Sequence, residues 1–160
     1  MLKNMAALTE KERVNKTAML CHLFVAAVLI LSYLAEVLKG TKTVTYFLAV
    51  LALGAIPVMI ELISYSKNHE TEVVRHAAGF GYAVFYIFMI FTSPNILAFT
   101  YCIPMYIVIT LFADVKYCVE IVSGGFLVNI IYVVSGFMRG TLTADSLENT
   151  EIQLALMLLV

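Results

Sequence analysis

Long apolar runs separated by short polar segments organise this chain. The runs fall at about 17–38, 44–65, 77–92, 95–113 and 119–138, and most are long enough to cross the roughly 30 Å core of a bilayer at about 1.5 Å per residue. Their apolar residues circle the segment instead of keeping to one stripe, which sets them apart from soluble amphipathic helices. The clearest pair lies between Asn95 and Met138, where NILAFTYCIPMYIVITLFA and EIVSGGFLVNIIYVVSGFM flank the polar hinge Asp114-Val115-Lys116-Tyr117. A sixth run at 151–160 covers less than half a bilayer and reads as an incomplete span. The pattern predicts an all-α, polytopic transmembrane helical bundle of five full spans plus a truncated sixth, following a polar segment at 1–16.

Local signals mark the helix ends. Thr9 and Glu12 form a capping box, so a helix should start there and run into the first span. Gly40 suits the end of that helix, and Thr43 suits the cap of the next. Pro57 should kink the second span, because it has no N–H for the carbonyl four residues earlier. Thr92-Ser93-Pro94-Asn95 signals a tight turn. Asp145 with Glu148 signals a last helix start.

Composition sharpens the class. Hydrophobic residues make up 62% of the chain and charged residues 13%, against about half and a quarter in soluble proteins. The chain is therefore expected to be a multi-pass protein of the cell membrane, with the lipid bilayer as its first partner. Lys and Arg do not cluster into a nucleic-acid surface. The three cysteines, Cys21, Cys102 and Cys118, read as packed thiols. Orientation follows from the positive charges: Lys3, Lys11, Arg13, Lys16, Lys67, Arg75 and Lys116 fall on one side, and only Lys39, Lys42 and Arg139 on the other. That bias places the N-terminus in the cytoplasm.

Candidate chemistry is sparse. His69, Glu72 and His76 would share one helical face and carry metal-ligand groups, but their spacing is not HExxH. A solvated loop with Arg75 paired to Glu72 is the preferred reading. Glu61 and Glu36 lie near the inner and outer ends of their spans, where reaching headgroups, or Lys67 for Glu61, is favoured over ion or ligand handling; His22 lies inside the first span, where a packed, hydrogen-bonded role is favoured over a proton-sensitive one. Gly125, Asn129, Tyr132 and Gly136 align on one face of the fifth span, as a packing seam first and a pocket wall second. Tyr33, Tyr86, Tyr101, Asn129 and Tyr132 each carry a polar atom that hydrocarbon would leave unsatisfied. They are the candidate ligand-binding residues of an outward-opening cavity, the alternative being an aromatic belt at the interface. No nucleophile elbow, phosphate loop or catalytic carboxylate pair occurs, so neither an enzyme nor a cofactor is expected. A small transporter subunit is the rival class, although no internal repeat supports it.

The run from Phe99 to Ile131, with Pro104 in the fourth span, the Asp114–Tyr117 hinge and the Gly- and Asn-bearing fifth span, resembles the N-terminal membrane region of bacterial methyl-accepting chemotaxis protein-like signal transducers. Similar regions precede diguanylate cyclase and histidine kinase modules. The resemblance implies a sensory or anchoring membrane region, a cytoplasmic output beyond Val160 and homo-oligomeric assembly.

Overall fold

A computed structural model describes residues 8–93, 96–140, 148–149 and 151–155. Among them every regular element is helical. Helix α1 (Glu10–Leu38) opens with the expected capping box: Glu12 N donates to Thr9 Oγ1 at 3.2 Å, and Thr9 N donates to Glu12 Oε2 at 3.1 Å. It ends where Gly40 takes a φ of +75°, a conformation open to glycine without steric cost. Thr43 then caps α2 (Val44–Lys67), which continues through Pro57.

Helix α3 (Val73–Thr92) starts earlier than the apolar run implies, and its Ala77–Gly81 segment winds as a π-helical turn. A 3-10 segment, Ile96–Tyr101, leads into α4 (Cys102–Thr110). Helix α5 (Val115–Met138) is capped by Asp114, whose Oδ1 accepts from Tyr117 N at 3.0 Å. The expected hinge thus narrows to the residues before Val115, with Ala113 at a left-handed φ of 52°. Pro94, Asn95, Asp145 and 156–160 lie outside the described residues, while Glu151–Ala155 is helical.

Four of these helices, α1, α2, α3 and α5, are long and apolar enough to cross a membrane. The fourth expected span is shorter, an apolar helical stretch at Ala98–Thr110. Pro104 explains part of this. It sits in the first turn of α4 rather than midway along a span, and with no N–H to give the Thr100 carbonyl it prevents a regular α-helical start further back.

Large apolar side chains cover the outside of the bundle as well as its core. Phe24, Ile107 and Phe137 are 69%, 61% and 73% exposed, whereas His22, Glu61 and Asn129 are buried. That distribution suits hydrocarbon outside and hydrogen bonds inside. Helix α3 runs through the middle, contributing Tyr82, Phe85, Tyr86, Met89 and Ile90 to the core. Close approach to it rests on small residues. A Cβ placed on Gly81 would lie 2.5 Å from Pro57 Cβ, so only glycine lets α3 seat on the α2 proline.

The start of α1, the segment between α2 and α3, and the start of α5 meet at one end of the bundle. Thr9 Oγ1 donates to Glu70 at 2.8 Å, Lys11 Nζ to Glu72 at 2.5 Å, and Arg75 Nη1 to Asp114 at 2.8 Å. Asn15, buried, donates to the carbonyls of His69 and Thr71 at 3.0 and 2.9 Å. The opposite end joins the start of α2 to the end of α3, with Tyr46 OH 3.0 Å from Thr92 Oγ1.

Gly81→Ala should destabilise the protein by about 1–3 kcal/mol, since the proline ring cannot yield as a flexible side chain would. Gly124→Ala, which meets nothing within 4 Å, should leave stability unchanged or raise it. Unfolding in mixed micelles, followed by circular dichroism, compares the two.

Candidate functional site

Among the described residues three polar constellations lie inside the bundle. The first joins α1 to α2: His22 Nδ1 lies 2.5 Å from Glu61 Oε1, and the Glu61 side chain is 0% exposed. Both residues sit six positions inside the charged end, counted from Lys16 and Lys67, or about 9 Å along a helix. Glu61 Oε2 has no hydrogen-bond partner. Neither has the Tyr82 hydroxyl, although the Tyr82 ring meets the His22 ring edge-on at 5.7 Å between centroids. Tyr82 is the first residue after the π-helical turn, whose wider winding sets the register that carries this ring toward α1.

The second constellation joins α3, α5 and the last described helical segment. Asn129 Nδ2 donates to Tyr86 OH at 2.6 Å and to the Gly125 carbonyl at 2.8 Å, while buried Gln153 donates to Asn129 Oδ1. Gly125 makes room for Tyr106, whose hydroxyl would collide with any Cβ there. Gly125 and Asn129 therefore do form a seam. The third constellation is aromatic. Tyr33 OH lies 3.4 Å from Tyr101 OH, and the Tyr33 and Tyr46 rings are 5.8 Å apart.

Of the five residues expected to line one cavity, Tyr86 and Asn129 come together and Tyr33 and Tyr101 form a separate pair. Tyr132 stands half-buried, edge-on to Phe91 at 5.7 Å. Within each pair the polar groups face one another across helices, Tyr86 OH accepting from Asn129 Nδ2 and Tyr33 OH meeting Tyr101 OH.

His69, Glu72 and His76 each turn to a different partner. Among the described residues no group of three His, Cys, Asp or Glu side chains is placed to hold an ion. The helical register that would put them on one face does not exist, because α2 ends at Lys67 and α3 starts at Val73. Asn68 Oδ1 accepts from Glu70 N, and Thr71 Oγ1 from Val73 N, so short turns occupy the interval. His69 stacks on Tyr65 and bonds its carbonyl at 2.6 Å, and His76 packs against Phe80 and Tyr117. Glu72 pairs with Lys11, and with Arg75 at 3.4 Å as the loop reading expected.

Arg75 is the centre of the charged end. Its guanidinium bonds Asp114, lies over the Tyr117 ring at 4.9 Å, and its own carbonyl accepts from Tyr117 OH at 2.8 Å. Sequence reasoning missed three partnerships: His22 with Glu61, Gln153 with Asn129, and Arg75 with Asp114. The available signal was that each of these polar groups sits within or beside an apolar run, where a partner is required.

No protein-family model matches the chain, and no curated protein or solved structure matches it. The functional reading therefore rests on the residues themselves.

Asn129→Leu should cost about 1–2 kcal/mol, because it strands the Tyr86 hydroxyl and the Gln153 amide. In a double-mutant cycle with Tyr86→Phe the two losses should be less than additive. A fully additive cycle in micelle unfolding experiments would show that the two groups do not act on each other.

The hydrogen bond from Lys11 holds the Glu72 carboxyl below the ordinary carboxylate range. Its stabilisation is therefore complete above that range and is lost as pH falls through the lowered value. Both side chains are about half exposed, so Glu72→Gln should cost less than about 1 kcal/mol at neutral pH. In strong acid it should cost nothing.

Proposed function

We propose that the chain is the membrane-embedded sensory and anchoring region of a bacterial signal transducer of the methyl-accepting chemotaxis protein-like type. In this reading it is a multi-pass protein of the cell membrane, with six spans and a cytoplasmic N-terminus. The observation that carries it is the single network at the charged end, in which α1, α3 and α5 meet through Lys11, Glu72, Arg75 and Asp114. A small shift of α3 within the bilayer would move the starts of both other helices, which is the kind of displacement a transducer passes to a helical output. Among the described residues Lys11, Arg13, Lys16, Lys67, Arg75 and Lys116 fall on the segments meeting at that end, which supports its cytoplasmic placement. Assembly as a homo-oligomer belongs to the same reading.

A transporter subunit is the second reading, favoured by one observation: the buried His22–Glu61 pair, of a type found on ion pathways.

Two measurements test the assignment. A cysteine at Lys67 should react with an impermeant maleimide only after the cells are opened, and one at Lys42 in intact cells; the reverse pattern would overturn the orientation. In proteoliposomes with imposed proton, sodium or potassium gradients, the signalling reading expects no flux above that of empty vesicles. Sustained flux would transfer the assignment to the transporter.

A further inference from the structure

The geometry points to an intramembrane proton-binding site formed by His22 and Glu61, whose loaded, neutral state holds α1 against α2. Two buried heteroatoms 2.5 Å apart cannot face each other lone pair to lone pair, so a proton lies between Nδ1 and Oε1. Two proton counts are compatible with that contact. With one exchangeable proton the pair is a neutral imidazole donating to a carboxylate, and its net charge is −1. With a second it is neutral overall, either as imidazolium and carboxylate or as imidazole and carboxylic acid.

The surroundings separate these two states. Facing the pair from α3 is the Tyr82 phenol, and Cys102 and Tyr106 of α4 belong to the same buried cluster as Tyr82. On α1 the neighbouring ionisable groups are Cys21 and, further toward the end, Lys16; on α2 they are Tyr65 and Lys67. Among the described residues His22 is the basic group that stands within ion-pair distance of Glu61. A net −1 pair would thus be a bare buried charge, which hydrocarbon and an apolar core do not tolerate. The doubly loaded pair fits the closed bundle, and loss of its proton requires water to enter or α1 to move from α2.

Three further features place the site where such opening is possible. Glu61 Oε2 and the Tyr82 hydroxyl are buried without partners, so a polar surface is already present for an arriving water. A void of about 10 Å³ adjoins His22, Gly54, Leu53 and Tyr82, roughly the space of one water molecule. Pro57 has no N–H for the Leu53 carbonyl at its edge. The same dimensions argue against a metal cation, which needs several oxygens around it and more room than this. The inference stands whether the bundle signals or transports.

The test uses the full chain in lipid nanodiscs, with native cysteines replaced and spin labels at the lipid-facing positions Leu20 and Ile63. The α1–α2 distance distribution and water accessibility should be constant in acid and should shift toward separation as pH rises, because the closed state binds one more proton than the open one. Glu61→Gln, neutral at every pH, should abolish that shift, while Glu61→Asp should retain a transition at a displaced pH. Isotope-edited infrared spectra of wild-type protein carrying labelled glutamate supply a measure independent of how the variants fold. They should show the change in the Glu61–His22 proton in step with the separation. A wild-type distance independent of pH, or a Glu61→Gln variant that titrates as the wild type does, would overturn the proposal. So would a shift produced by sodium at fixed pH, which would reassign the site to a metal cation.

Discussion

Hydrocarbon offers no hydrogen-bond partner, so any polar group carried into the bilayer must find one on another helix. This constraint decides how the helices of the chain are rotated against each other. Leu, Ile, Val and Phe side chains populate the outside of α1, α2 and α5, while His22, Glu61, Tyr86 and Asn129 turn inward and bond across helix pairs. Apolar packing alone would not select these rotations, because lipid tails are as apolar as the side chains they replace. The polar contacts supply the direction, and small residues such as Gly81 and Gly125 supply the close approach that lets them form.

The constraint is met incompletely at several atoms, the Tyr106 hydroxyl among them, and around the His22–Glu61 pair irregular backbone accompanies the shortfall. Glu61 Oε2 and the Tyr82 hydroxyl are buried without partners. Around them lie Pro57 in α2 and the π-helical turn of α3, the latter seated on the proline through Gly81. Departures from regular helix of this kind often accompany functional sites, because they trade internal hydrogen bonds for a particular side-chain placement. Here the side chain so placed is Tyr82, next to the only His–Glu pair among the described residues.

At the charged end the physics changes, since water competes for the same partners. The Lys11–Glu72 pair is half exposed and contributes little to stability. Arg75 is better shielded, and its bonds to Asp114 and Tyr117 connect α3 to the cap of α5. Asp114 serves both roles at once, capping α5 with one oxygen and binding Arg75 with the other. A displacement of α3 would therefore loosen the start of α5 as well. The bundle core and the charged end are mechanically joined through that helix.

Much of the architecture was legible in the residues because it is local. Run length and all-round apolarity mark the helices, and the Thr9–Glu12 box and the Thr43 cap depend on positions three residues apart. The stripe of Gly125 and Asn129 follows from helical register alone. Failures came where register was assumed across a break: His69 lies in the turns between α2 and α3, so its spacing to His76 has no helical meaning. The pairing of His22 with Glu61, 39 residues apart, depends on the rotation of two helices about their own axes. So do the separation of Tyr86 and Asn129 from Tyr33 and Tyr101, and the arrival of Gln153 at Asn129. Periodicity identifies which face of a helix is polar. It carries no information about which other polar face that one will meet, and in this protein that meeting was settled only when the helices packed.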